Sequence, residues 1–335
     1  MSVEKSPGFA SVAARDPAWL AQKLDPERQA ILFIGMSRAD YAAASFLDDR
    51  ILTPAARGAW TRIASVRAGL EGAPSAPLHF IFHSGHVGST LLSRVLESPK
   101  VLALREPLPL RTLAELHDAA VPDFAAHLET MLRLWRRPFP GVEAVTLKAT
   151  SAAARIAAPV MRAAPDAKAI YLNMKAEPYL AVLLAGENTP IDLQGMQAER
   201  TRRLASKLGA PPPPPASLGE LAALTWAAER LTQADLMREM GARVRALDFD
   251  AFLERPGEEA RACAAHLGIP APDVEASPIL TRYSKAPDYA YSPRDRAAII
   301  AQSRSGNAAE ISRGLAWLAH LADAHPAIAD AFDLR

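Results

Sequence analysis

The chain has 335 residues, half of them hydrophobic, with 38 lysines and arginines against 37 acidic residues. That is enough chain to bury a large core, and too balanced a charge to hold a nucleic-acid backbone or an anionic membrane surface, so a small ligand is the expected partner. The longest apolar stretch of interest, residues 180–185, falls far short of the roughly 20 residues that span a bilayer. Residues 1–17 mix Glu4, Lys5, Arg15 and Asp16 into small side chains, unlike an export signal, and the single cysteine, Cys263, has no internal disulfide partner. These features predict a cytoplasmic protein with no membrane partner.

In chain order, residues 1–75 read as a mainly helical N-terminal segment, with one short strand at 30–34 and Ala-rich helical stretches at 41–46 and 54–68. The run Gly72-Ala73-Pro74-Ser75-Ala76-Pro77 breaks the chain and sets this segment apart from a main domain over 76–335. There, apolar runs at 78–82, 101–104, 144–147, 169–172 and 244–249 alternate with helix-length amphipathic stretches. Such alternation predicts an α/β fold of three layers around a central, mostly parallel sheet, joined by right-handed crossovers. Five prolines at 211–215 read as a stiff exposed loop; a long helix over 217–240 follows, Cys263 falls on a small-residue helix, and the chain is mostly helical from Ser292.

The first strand of the main domain runs into His83-Ser84-Gly85-His86-Val87-Gly88-Ser89-Thr90 and a helix opening Leu91-Leu92-Ser93-Arg94. Two glycines let the backbone turn with its N–H groups inward, and a new helix adds unpaired N–H groups and the positive end of its dipole. An anion site over Gly85, His86, Val87, Gly88, Ser89, Thr90 and Leu91 is therefore expected; the alternative is an ordinary strand-to-helix turn with a Ser/Thr cap. A nucleoside-triphosphatase loop would carry lysine in place of Ser89 and glycine in place of His83. Both are missing, and only Asp248 ends an apolar strand with a magnesium-binding residue, so an atypical P-loop kinase is poorly supported.

The stretch Gly85-His86-Val87-Gly88-Ser89-Thr90-Leu91-Leu92 resembles the 5′-phosphosulfate loop of sulfotransferases. Three further segments agree in order: Ala167-Lys168-Ala169-Ile170-Tyr171-Leu172-Asn173-Met174-Lys175, similar to the strand and basic residue that take the donor's 3′-phosphate; Arg243 to Pro256 with His266-Leu267-Gly268-Ile269-Pro270 behind it; and Tyr283-Ser284-Lys285, similar to the late segment that folds over the nucleotide. The likeness covers residues 78–300 and leaves the first 75 uncovered. It implies a P-loop-like fold, 3′-phosphoadenosine 5′-phosphosulfate as donor with adenosine 3′,5′-bisphosphate as product, no metal, and a small-molecule or peptidic acceptor. It assigns the 3′-phosphate to Lys175, Ser284 and Lys285. Three positions depart from the family pattern: His86 stands for a basic residue, Lys175 for arginine, and Leu183 for serine. A non-catalytic or regulatory nucleotide-binding protein on the same fold is the competing reading.

Transfer to an acceptor needs a base and a cation near the leaving phosphate. Glu106, after the second strand of the main domain, belongs at the crevice where strand ends meet, and several sulfotransferase branches carry a glutamate base there; alternatively it pairs with Arg105 or caps the next helix. Lys148 ends the third strand and is expected to touch the transferring group, or else to snorkel at the surface. His86 completes the catalytic set, with a local loop role as its alternative, as for His83. Trp226 reads as core within Leu221, Leu224 and Leu231, and Arg111, Arg133, Arg136 and Arg137 as either an anion-holding group or a solvated helix face.

Overall fold

The computed structural model describes residues 7–274 and 278–332. Three strands come first: β1 (Trp19–Asp25), β2 (Ala30–Gly35) and β3 (Gly58–Arg62), paired antiparallel in the order β1-β2-β3. Then β4 (Leu78–His83), β5 (Val101–Arg105), β6 (Ala144–Lys148), β7 (Ala169–Asn173) and β8 (Val244–Asp248) form a parallel sheet in the order β5-β6-β4-β7-β8. A small hairpin follows, β9 (Arg282–Tyr283) and β10 (Ala286–Ala290). The α/β class with a central parallel sheet is as the alternation of apolar runs predicts.

The strand sequences explain why both sheet faces are covered. Every residue of β4, β5, β6 and β7 is buried, and side chains alternate between faces with period two. Phe80, Phe82, Leu102, Leu104, Val145, Leu147 and Tyr171 point into one core, while Ile81, Val101, Ala144, Ile170 and Leu172 point into the other. The first core continues without a break into Leu20, Ile31, Phe33, Ile63 and Val66 of the N-terminal segment. The second is closed by the long helix Leu218–Met240 and by Ala308–Ala324.

The N-terminal segment departs from the mainly helical expectation. Residues 54–68 divide into β3 and a helix, Ile63–Gly69, and β1 occupies a stretch with no strand signal. Helix propensity of Ala-rich sequence is worth only tenths of a kcal/mol per residue; pairing with the apolar β2 and burial of Ala59 and Leu20 outweigh it. The helix expected over 41–46 is Arg38–Ala43, because the carbonyls of Tyr41 and Ala44 turn aside to accept hydrogen bonds from the buried Arg105 guanidinium (3.0 and 2.8 Å). The C-terminal helices and the helix Leu218–Met240, capped by Ser217 accepting from Glu220 N–H (3.3 Å), follow expectation; the proline run is non-helical as expected but only partly exposed, with Pro212 buried and Pro213 C=O accepting from Trp317 Nε1 (3.3 Å). Among the described residues no helix is long and apolar enough to cross a membrane.

Candidate functional site

Strand β4 lies between β6 and β7, and its successor in the sheet lies two places away at the β5 edge, so the chain reverses direction across the sheet at the C-terminal end of β4. Crevices form at such switch points. The loop emerging there has three left-handed residues, Gly85 (φ 88°), His86 (φ 56°) and Gly88 (φ 68°), and opens into the helix Ser89–Leu96. The first helical bond runs from Leu92 N–H to Gly88 C=O (3.1 Å), and no side chain caps the helix. The N–H groups of Ser89, Thr90 and Leu91 thus form a first turn without intrahelical acceptors, at the positive end of the helix.

Neighbouring strands hold this loop in shape. Gly85 N–H donates to His83 Nδ1 (3.0 Å), which fixes the neutral tautomer, so His83 Nε2–H donates to Ala149 C=O just past β6 (2.8 Å). Burial drives the His83 pKa well below its ordinary value, with the Lys148 ammonium pushing the same way. From the β7 side Ser84 Oγ donates to Asn173 Oδ1 (3.2 Å) and Tyr179 O–H donates to Ser84 C=O (2.6 Å). His83 is a loop holder, as its local alternative had it. Gly88 is needed for a reason unrelated to phosphate approach: a Cβ there would stand 1.9 Å from the Phe249 ring.

Glu106 and Lys148 come together. They end β5 and β6, whose register places Arg105 opposite Lys148, and Glu106 N–H donates to Lys148 C=O (2.7 Å) while Lys148 Nζ donates to Glu106 Oε1. Neither surface alternative holds. Arg105 pairs with Glu97 instead of Glu106, the helix Pro109–Asp118 has no side-chain cap, and the Lys148 side chain is only 1% exposed. Glu106 has φ 53°, a conformation that a residue with a Cβ adopts only when its surroundings impose it. Burial pulls the Lys148 pKa down, and Glu106 opposes it. The Lys148 ammonium lies 5.7 Å from the Phe46 ring centroid, on whose ring the Arg50 guanidinium sits at 3.4 Å.

The remaining expected residues divide between two cavities. His86, Gly88, Leu91, Ser284 and Lys285 line one of about 200 Å³, with Phe249 and Arg296 on its walls. His86 lines it with an exposed ring held toward the neutral form, by partial desolvation and then by the Lys285 ammonium. Gly85, Val87, Ser89 and Thr90 line neither cavity, and the last three are buried. Lys175 lines a different cavity of about 250 Å³ beside Asn173, Arg230 and Asp248. The expected partnership of Lys175 with Ser284 and Lys285 therefore is not assembled, and Leu183, in the place of the family's serine, is buried in the second core. Asp248 caps its own helix, accepting from Ala251 N–H (3.0 Å).

Trp226 is core: it is 1% exposed and donates from Nε1 to Met174 C=O (2.8 Å). Of the basic group, Arg133, Arg136 and Arg137 bind Leu70 C=O, Asp166 and the carbonyls of Asp16 and Trp19, and so are structural ties; Arg111 alone is exposed near the site, within electrostatic reach of Asp48. Phe46, Arg50, Asn173 and Tyr179 were not singled out from sequence. Asn173 lies in the segment 167–175 without a role of its own; strand order brings Asn173 and Tyr179 to the loop through Ser84, and Phe46 and Arg50 stand by Lys148.

Structures similar to this chain are sulfotransferases. One from Alicyclobacillus acidocaldarius matches at 17% identity over 74% of this chain and 96% of its own, with a TM-score of 0.39. A sulfotransferase from Mycobacterium avium matches at 11% identity over 91% and 97%, TM-score 0.42. The sulfotransferase domain from the curacin biosynthetic pathway matches at 14% identity over 73% and 98%, TM-score 0.40. No family model and no curated protein sequence matches the chain.

Proposed function

We propose that the chain is a sulfotransferase that uses 3′-phosphoadenosine 5′-phosphosulfate and a small-molecule or peptidic acceptor. The observation that carries this reading is the adjacency of two features. Three helix N–H groups without intrahelical acceptors lie at the end of β4 in a loop that has no Walker lysine, and a buried lysine paired with a half-buried glutamate ends the strands β6 and β5 beside it.

The residues fit such a donor. Ser89, Thr90 and Leu91 N–H groups suit its 5′-phosphate, and around the adjoining cavity Lys285 and Arg296 offer cations while His86 and Ser284 offer neutral hydrogen-bonding groups. When bound, the donor supplies the sulfuryl group and a phosphate leaving group. Lys148 provides a fixed cation in a dry environment, where charge stabilisation is strongest. Its bond to Glu106 Oε1 orients the carboxylate, whose Oε2 has no hydrogen bond to the described protein and accepts the acceptor's proton.

Calorimetric titration with adenosine 3′,5′-bisphosphate in the absence of magnesium tests the binding half, and an acceptor screen with labelled donor tests the transfer half. Binding that requires magnesium and a nucleoside triphosphate would overturn the reading. The separation of Lys175 from Lys285 favours a second reading, a nucleotide-binding protein without transfer, which binding without turnover across the screen would assign.

A further inference from the structure

Ser284 and Lys285 form the two-residue turn of the β9–β10 hairpin, with Tyr283 opposite Ala286. A hairpin this short is not stable by itself, and its tip carries Lys285 toward a wall that already holds Arg282 and Arg296. Like charges would drive the tip outward. It is held by its backbone instead: Ser284 C=O accepts from Arg94 Nε (2.8 Å) and Lys285 C=O accepts from Ser45 Oγ (2.8 Å).

Both donors belong to one cluster. Arg94 lies on the helix that the phosphate loop opens, and its guanidinium also donates to Ala42 C=O (3.0 Å), Ala43 C=O (3.2 Å) and Ser45 Oγ (3.0 Å). Arg105 fixes the same stretch from the core side through Tyr41 C=O and Ala44 C=O. One residue beyond Ser45, Phe46 faces the Lys148 ammonium. We propose that residues 42–46 are a strap that holds the Ser284-Lys285 tip over the nucleotide cavity. Arg94 and Ser45 are its positioning residues. Because the ties use carbonyls, the Lys285 ammonium stays available to an anion, and the same strap reaches the Glu106–Lys148 pair through Phe46.

This inference rests on the nucleotide reading of the cavity, and the test separates the two. Adenosine 3′,5′-bisphosphate is titrated into wild type, Ser45→Ala and Arg94→Lys, with melting temperature and amide hydrogen exchange over 282–290 measured on each without nucleotide. Losing the two hydrogen bonds of the Ser45 hydroxyl, one to Lys285 C=O and one from Arg94, is expected to weaken affinity by about two- to tenfold in Ser45→Ala, with melting within about 2 °C of wild type and faster exchange at the tip. Arg94→Lys, which keeps the charge but loses the fork that spans four acceptors, is expected to lose more. If wild type does not bind, the nucleotide reading fails, while faster exchange in Ser45→Ala still supports the strap. Unchanged exchange in Ser45→Ala, or lowered melting with undiminished affinity in a binding protein, overturns the strap.

Discussion

Glu106 and Lys148 are joined twice, by a backbone bond from Glu106 N–H to Lys148 C=O and by their side chains, so the carboxylate is aimed by the strand beside it. The aim is imposed: Glu106 sits in the left-handed region, and the lysine that engages it has no other carboxylate partner among the described residues. Glu106→Gln keeps an oxygen that accepts from Lys148 and is expected to keep adenosine bisphosphate affinity, while turnover falls by about 10²- to 10⁴-fold. Rate measurement with any accepted substrate checks this, and turnover within a few-fold of wild type would remove Glu106 as base. His83 could not replace it, because both ring nitrogens are engaged.

Gly88 is constrained by Phe249. Gly88→Ala places a methyl against that ring and imposes a left-handed backbone on alanine, for an expected loss of about 1–3 kcal/mol of stability. Adding Phe249→Leu should recover the steric part and leave the conformational part. Denaturant titration of the two single variants and the double variant reads the coupling; strictly additive losses would place the ring elsewhere in solution.

Lys285 and Lys175 face different cavities, which decides how they act on nucleotide binding. Lys285→Ala is expected to weaken adenosine bisphosphate several-fold, with a smaller effect at high salt, as befits an exposed ammonium. Lys175→Ala should cost less, and the two changes should add without coupling. A coupling energy above about 0.5 kcal/mol would mean that both lysines reach one phosphate.

His79 makes stability depend on pH. It is 6% exposed, and its pKa is pushed down to about 4, by burial first and by Lys168 next, whereas in the unfolded chain it titrates at its ordinary value of 6.5. Between those two values the unfolded state binds a proton that the folded state refuses, so the stabilisation is complete above pH 6.5 and is lost progressively as pH falls toward 4. The slope approaches about 1.4 kcal/mol per pH unit for this one group. Denaturant titrations at pH 5 and 7 should show a change in stability smaller by roughly 2 kcal/mol in His79→Gln than in wild type; equal changes would refute the assignment.

The sequence by itself determined the parallel sheet, because strands buried on both faces must read as short apolar runs, and Leu78-His79-Phe80-Ile81-Phe82 and Ala169-Ile170-Tyr171-Leu172 do so without help from the rest of the chain. It also determined the turn from strand to helix after β4, since left-handed turns ask for glycine, and the ends of β5 and β6 as the place for Glu106 and Lys148. It did not determine β1 and β3, whose local preferences are too weak to oppose pairing with β2, nor the difference between Lys175 and Lys285, which depends on which cavity each strand end opens into. Least legible was the strap. Arg94 and Ser45 carry no motif, and a contact such as that between Ser45 and Lys285, 240 residues apart, exists only once the sheet has folded and brought the N-terminal segment and the hairpin tip to the same helix. Local sequence sets backbone preference and burial pattern; the partners of a side chain that reaches across the chain are set by packing.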